Sequence, residues 1–282
     1  MATHILAAGQ PALRIGLLTD LHYADRAPQG TRHYRETIPK LREAVERFNE
    51  ARLDFAVELG DLIDEADTVE GEIGHLKTIE REFAKFKGGR HYVLGNHCVW
   101  TLTKEQFFAN CAAKQPFYAF DRAGFHFVML DACHRFDGED YGARNFKWNE
   151  AEIPPAQREW LQADLKAAKL PVIVFVHQRL DVTGNYGIKS APEVRLMLEA
   201  SGKVLAVFQG HNHVNDLREI GRIPYCTLAA MVEGSGAEKS AYGILDVFRD
   251  GTLKVSGFQQ QKSHELAARG ATNQTAPAKE KD

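Results

Sequence analysis

Apolar residues along this chain fall into two alternating rhythms. Short β-rich runs occupy Arg14–Thr19, Phe55–Leu59, His91–Leu94, Pro171–Val176 and Val204–Gln209. Between the first of them the period lengthens to a helical one. Leu41, Ala44, Val45 and Phe48 mark one face of Pro39–Ala51, and Ile73, Leu76, Ile79, Phe83 and Phe86 mark a second helix ended by Gly88-Gly89. This βαβαβ order predicts a largely parallel sheet covered on its faces. The middle differs. Phe117–Phe120 and Phe125–Leu130 flank a hairpin turn at Asp121-Arg122-Ala123-Gly124, and Pro154-Pro155 opens a helix carrying Trp160, Leu161 and Leu165. After strand 171–176 come a helix around Glu193–Glu199 and strand 204–209. Two more hairpins follow, Asp216–Ile220 with Pro224–Ala229 around Gly221, and Ala241–Phe248 with Thr252–Phe258 around Asp250-Gly251. The pattern predicts two mixed sheets packed together with helices outside, as one α/β domain over residues 1–262. Residues 263–282 are expected to form a flexible tail, with Ala271–Asp282 disordered.

Polar signatures follow the five β-rich runs. They are Asp20-Leu21-His22, Gly60-Asp61-Leu62-Ile63-Asp64, Gly95-Asn96-His97, His177, and Gly210-His211-Asn212-His213. Side chains able to bind metal thus recur where strands should end, the place where open α/β sheets bind ligands. Asp20 and His22 are two apart, as are His211 and His213, so each pair can reach one ion. Asp61 adds a carboxylate able to bridge two ions, Asn96 an amide oxygen, and His177 a further imidazole. This donor set suits Mn²⁺, Fe²⁺, Co²⁺ or Zn²⁺ and lacks the thiolates of a structural zinc knot. Two ions about 3.5–4 Å apart would polarise a phosphoryl oxygen and generate a bound hydroxide for in-line attack on a phosphate ester or anhydride. His97, beside Asn96 but not required as a ligand, is the candidate proton donor to the leaving oxygen. Asp64 is expected to accept a hydrogen bond from an imidazole, with His97 as the donor it orients.

Composition narrows the partners. A net charge of −3 leaves no electrostatic footprint for nucleic acid or an anionic membrane, so an anionic substrate needs locally placed cations. The loop after the first signature supplies them in Arg26, Arg32, His33 and Arg35, beside Tyr23 and Tyr34, with Arg179 and Asn185-Tyr186 as further candidates. The alternative is a solvated loop with ordinary surface charge. Cysteines 98, 111, 133 and 226 show no paired spacing, which points to a reducing compartment. Met1 to Pro11 lacks a basic start followed by a long apolar stretch, and no run approaches the roughly 20 apolar residues of a membrane helix. A cytoplasmic location is the expectation. His4, His75, His91, His126, His134 and His264 read as packing or surface residues, with an approach to the site as the alternative for His134, and Phe48, Phe83, Phe86 and Trp160 read as core.

The ordered set D-x-H, G-D-x-x-D, G-N-H, H and G-H-x-H, from Asp20 to His213, resembles the calcineurin-like metallophosphoesterase superfamily. The resemblance implies a four-layer α/β/β/α sandwich. It also implies one ion on Asp20, His22, Asp61 and His213 and a second on Asp61, Asn96, His177 and His211. Cys98 departs from the acidic residue that often follows G-N-H, and is read as a buried, inert thiol. No tyrosine ligand of the purple acid phosphatase type is present in the second signature. A finer resemblance, carried by Asp20–Asp25, Gln29–Arg35, Trp148-Asn149 and Gln157–Leu161, is to the Mn²⁺-dependent ADP-ribose/CDP-alcohol diphosphatases, although that branch commonly has Gln where His22 stands. The resemblance implies hydrolysis of a phosphodiester or diphosphate in a small nucleotide-type substrate: ADP-ribose, a CDP-alcohol or a cyclic nucleotide. The alternatives are a phosphomonoesterase, including a protein phosphatase, and a metal-stabilised scaffold without activity.

Overall fold

The computed structural model describes residues 9–266. Two six-stranded mixed sheets lie face to face. The first contains β1 (Leu13–Leu18), β2 (Phe55–Glu58), β3 (Gly89–Tyr92), β10 (Ala241–Val247), β11 (Leu253–Gln259) and β12 (His264–Leu266), in the order β12-β11-β10-β1-β2-β3. The second contains β4 (Tyr118–Arg122), β5 (Phe125–Met129), β6 (Val172–Phe175), β7 (Val204–Gln209), β8 (Asp216–Ile220) and β9 (Ile223–Thr227), in the order β4-β5-β6-β7-β9-β8. Strands β1, β2 and β3 run parallel, as do β5, β6, β7 and β9. Their C-terminal ends therefore present rows of loops at one edge of each sheet.

Side-chain alternation divides the core into layers. Leu13, Ile15 and Leu17 of β1 point between the sheets with Phe55, Val57, Phe127, Met129, Phe175 and Phe208. Leu18 and Ala56 point outward, under α1 (Thr37–Glu50) and α2 (Val69–Phe83), against Leu41, Val45, Phe48, Leu76 and Phe83. On the far side Val128, Val174 and Val207 pack under α4 (Pro155–Ala167) and α5 (Ala191–Ser201), against Leu161, Leu165, Val194 and Leu198. Three apolar interfaces separate four layers, the α/β/β/α sandwich. Each buried Leu or Phe in them contributes about 1.5–3 kcal/mol of transfer free energy.

The structure differs from the sequence reading in two places. Helix α3 (Lys104–Asn110) was not anticipated, although Thr103 and Gln106 form a full capping box at its start. The chain also stays ordered beyond residue 262. His264–Leu266 pairs antiparallel with β11, and Leu266 is buried between the sheets. Its apolar side chain closes the end of that interface, a role with no periodic signal. His4 and the segment from 267, including Ala271–Asp282, lie outside the described residues. No helix among the described residues is long and apolar enough to cross a membrane.

Candidate metal centre

The five polar signatures leave five parallel strands and converge. Asp20 and His22 follow β1, Asp61 follows β2, Asn96 and His97 follow β3, His177 follows β6, and His211 and His213 follow β7. The two sheets thus contribute to one cluster across their shared edge. Asp20, His22, Asp61, Asn96, His177 and His211 are all buried. Two compact triads stand out, Asp20–His22–His213 and Asp61–His177–His211.

Local backbone geometry makes this convergence possible. Asp20, His22, Asp61, His211 and His213 all have positive φ, from 46° to 74°. Left-handed backbone costs an L residue on the order of 1–2 kcal/mol each, and such strain gathers where function over-determines the chain. The flip turns two residues of each D-x-H or H-x-H element toward the same space. Gly95 and Gly210 supply room. A Cβ on Gly95 would strike the Asp61 backbone and carboxylate, and one on Gly210 would strike Thr19 and the Asp20 carboxylate.

The hydrogen bonds assign the imidazole protons. His22 Nδ1 faces Asp64 Oδ2 at 2.9 Å, His213 Nδ1 faces Glu233 Oε1 at 2.6 Å, and His177 Nδ1 faces the Leu59 carbonyl at 2.8 Å. Ionised carboxylates and carbonyls only accept, so each Nδ1 carries a proton and donates it. Each Nε2 then aims a lone pair inward. His22 Nε2 and His213 Nε2 lie 3.1 Å apart, with Asp20 Oδ1 at 3.6 and 3.4 Å from them. His177 Nε2 lies 3.1 Å from Asp61 Oδ2. Asp20 Oδ1, Asn96 Oδ1, His177 Nε2 and His211 Nε2 are buried and have no hydrogen-bond partner. Facing lone pairs at these distances repel unless positive charge lies among them. The donor set therefore fits divalent cations.

Protonation reports the same demand for positive charge. Burial opposes charge on His213, yet Asp20 and Glu233 outweigh it and raise its pKa to about 9. Burial likewise opposes charge on His177 and His97, and neighbouring carboxylates again win: Asp61 and Asp20 at His177, Asp61 and Asp64 at His97. His211, farther from a carboxylate partner, is pushed by burial and by His177 down to about 3. A neutral His211 is ready as a lone-pair donor. Asp64 is desolvated, but His97 and His22 hold its pKa far below the usual carboxylate range.

The supporting residues differ from their sequence assignment. Asp64 serves chiefly His22, while His97 Nδ1 stands at 3.4 Å from its other oxygen. The strand-end geometry decides this, because His22 comes directly over the Asp64 carboxylate. Arg26 is not free for substrate: it donates to Asp64 Oδ1 at 2.8 Å and stacks on Tyr34. His33 pairs with Glu36, and Arg35 with Asp25. Arg179 is buried and forked onto Asp181, with Asp216 as a second partner. His134 joins Asp131, Asp140 and the Lys104 ammonium rather than the metal cluster. Of the five cationic candidates only Arg32, itself 3.5 Å from Asp64 Oδ2, lines the 280 Å³ cavity that also holds Asp61, Asn96, His97, His211 and His213. Cys98 is fully buried, and burial raises its thiol pKa well above the ordinary value, as an inert thiol requires. Glu233 escaped the sequence reading, since it lies in a loop beyond β9 with no local signature.

The model of the calcineurin-like phosphoesterase family matches residues 13–215, more than half of the chain and all five signatures. This chain belongs to the calcineurin-like phosphoesterase family. It is a hydrolase of the dimetal type, acting with two divalent ions. Among curated proteins it is 29% identical to the manganese-dependent ADP-ribose/CDP-alcohol diphosphatase of Oryza sativa subsp. japonica, over 87% of this chain and 91% of that protein. It is 35% identical to the Arabidopsis thaliana protein of the same name, over 36% of this chain and 34% of that one. The alignment to the Arabidopsis protein thus spans about a third of that protein's length. A dimetal phosphatase from Danio rerio has the same fold, with TM-score 0.81, 19% identity, and coverage of 92% of this chain and 100% of that one.

Proposed function

We propose that this phosphoesterase cleaves the diphosphate of a small nucleotidyl compound, of the ADP-ribose or CDP-alcohol kind, with Mn²⁺ as the working ion. One ion is held by Asp20, His22, Asp61 and His213, the other by Asp61, Asn96, His177 and His211. The observation that carries this assignment is the set of inward lone pairs, four of them on buried atoms without a partner. When bound, the two ions supply Lewis-acid charge to a phosphoryl group and acidify water.

The chain's own residues do the rest. Asp64 and Glu233 fix the tautomers of His22 and His213 through their Nδ1 protons. Arg32, at the cavity wall, binds a phosphate oxygen by charge-assisted hydrogen bonds. His97 carries a proton favoured by Asp61 and Asp64 and delivers it from Nε2 to the leaving phosphate oxygen. The names of the two plant relatives support a diphosphate as the substrate class.

The test is a comparison of kcat/KM for ADP-ribose and CDP-choline with that for p-nitrophenyl phosphate and a phosphoserine peptide, in Mn²⁺. Diphosphates should lead. A clear preference for either monoester would assign the site to phosphomonoester hydrolysis instead.

A further inference from the structure

Two aromatic side chains stand at the mouth of the metal-bearing cavity without a part in the scheme above. Trp148 and Tyr186 are 41% and 46% exposed. They line the same cavity as Asp61, Asn96, His97, His211 and Arg32. Their ring centroids are 5.4 Å apart, and those of Trp148 and Tyr186 lie 5.9 and 5.7 Å from that of His211. The other exposed large apolar side chains, among the described residues, do not line this cavity.

The pair is built rather than incidental. Trp148 lies in the loop before α4 and Tyr186 in the loop after β6, so two distant segments meet here. The neighbouring residues tie the segments together, Asn149 Nδ2 donating to Asn185 Oδ1 at 3.3 Å. The Tyr186 carbonyl accepts from the Arg179 backbone N–H, and the Arg179 side chain is itself clamped by Asp181 and Asp216. Exposed rings are thus held in place, which spares the entropy of ordering them when a ligand arrives.

We propose that Trp148 and Tyr186 form a stacking platform for the nucleobase of the substrate. The inference rests on the nucleotidyl diphosphate reading and names the group that the reading leaves unplaced. A sugar or alcohol arm needs hydrogen-bonding partners, whereas two tilted rings offer π-faces. Their closeness to His211 places a flat group next to the phosphoryl position. Stacking reads a π-face rather than a hydrogen-bonding edge, so purine and pyrimidine nucleotides are both accepted.

The experiment is equilibrium titration of Mn²⁺-loaded protein with AMP, CMP and ribose 5-phosphate, followed by calorimetry. The quantity read is the affinity ratio of nucleotide to ribose 5-phosphate within each variant, which cancels any general weakening of the site. In the wild type the ratio should be roughly tenfold for both nucleotides. It should fall toward one in Tyr186→Ala and in Trp148→Ala and survive in Tyr186→Phe. A wild-type ratio of one, or a wild-type ratio retained in the double alanine variant, overturns the platform. ADP-ribose cleavage assayed in parallel separates the two claims. An aromatic-dependent ratio without cleavage keeps the platform and removes the diphosphatase reading, whereas cleavage with an aromatic-independent ratio does the reverse.

Discussion

His22 Nδ1 donates a hydrogen bond to Asp64 Oδ2 across 2.9 Å, both side chains being fully buried. The second signature thus orients the first, and one carboxylate sets which nitrogen of His22 faces the cluster. Replacing Asp64 with Asn removes the charge behind His22 and weakens the fixed tautomer. Such supports are worth about 10- to 100-fold in metal affinity. The Mn²⁺ dissociation constant of Asp64→Asn, measured by calorimetry, should rise by that order, and an unchanged value would mean that His22 is not a ligand.

Glu233 stands in the same relation to His213, at 2.6 Å. Glu233→Gln keeps the size and loses the ionised acceptor, so it should also weaken Mn²⁺ binding, by roughly tenfold. Counting bound Mn²⁺ per chain at limiting metal checks this. A full complement at wild-type affinity would remove Glu233 from the site.

In the proposed scheme His97 acts as an acid only where the leaving group needs a proton. His97→Ala should lower kcat for ADP-ribose by roughly 10²–10⁴-fold. The loss should shrink for thymidine 5′-phosphate p-nitrophenyl ester, whose phenolate leaves unaided. Equal losses on both substrates would instead assign His97 to phosphate orientation.

Removal of the ions should destabilise the fold, because the proposed ligands belong to five loops from both sheets. An ion at 100 times its dissociation constant stabilises the native state by about 2.7 kcal/mol. For a chain of this size that is a rise in Tm of roughly 5–10 °C. Melting with excess chelator and then with Mn²⁺ restored should show it, and coincident curves would refute binding at this site.

His91 gives a pH dependence remote from the metals. Its ring stacks on Phe120 with centroids 4.1 Å apart, and the Tyr118 hydroxyl meets its Nδ1 at 3.1 Å. Burial, and then Arg122, lower its pKa to about 4. The unfolded chain takes up this proton near pH 6.5, before the folded one does. The stability His91 contributes is therefore present above pH 6.5 and is lost as the pH falls through about 4. The stability difference between wild type and His91→Phe should change with pH in that window and be flat above it. A flat difference throughout would contradict the packing.

The sequence by itself determined all the strands but the last, most of the helices and the residues that gather in the candidate metal cluster. Strand alternation and helical period are local, and D-x-H or H-x-H spacing forces paired donors onto one strand end. The pattern made two packed sheets with outer helices legible, and the four-layer sandwich followed from the family resemblance of the signatures. Partners at long range were decided only by the tertiary structure. Asp64 turned out to serve His22 because β1 and β2 are parallel neighbours that bring their C-terminal loops into contact. All five cationic candidates proved to be engaged in ion pairs: Asp64 reaches Arg26 and Arg32, and Asp216 reaches Arg179, from elements whose approach is not written in the local pattern, whereas His33–Glu36 is a local i,i+3 pair. Glu233 and Trp148 came to the site in the same way, when loops distant in sequence were folded over one edge, where Trp148 meets Tyr186, a residue the sequence had already offered. Donor chemistry is a property of residue type, whereas orientation and free charge depend on neighbours that only packing supplies.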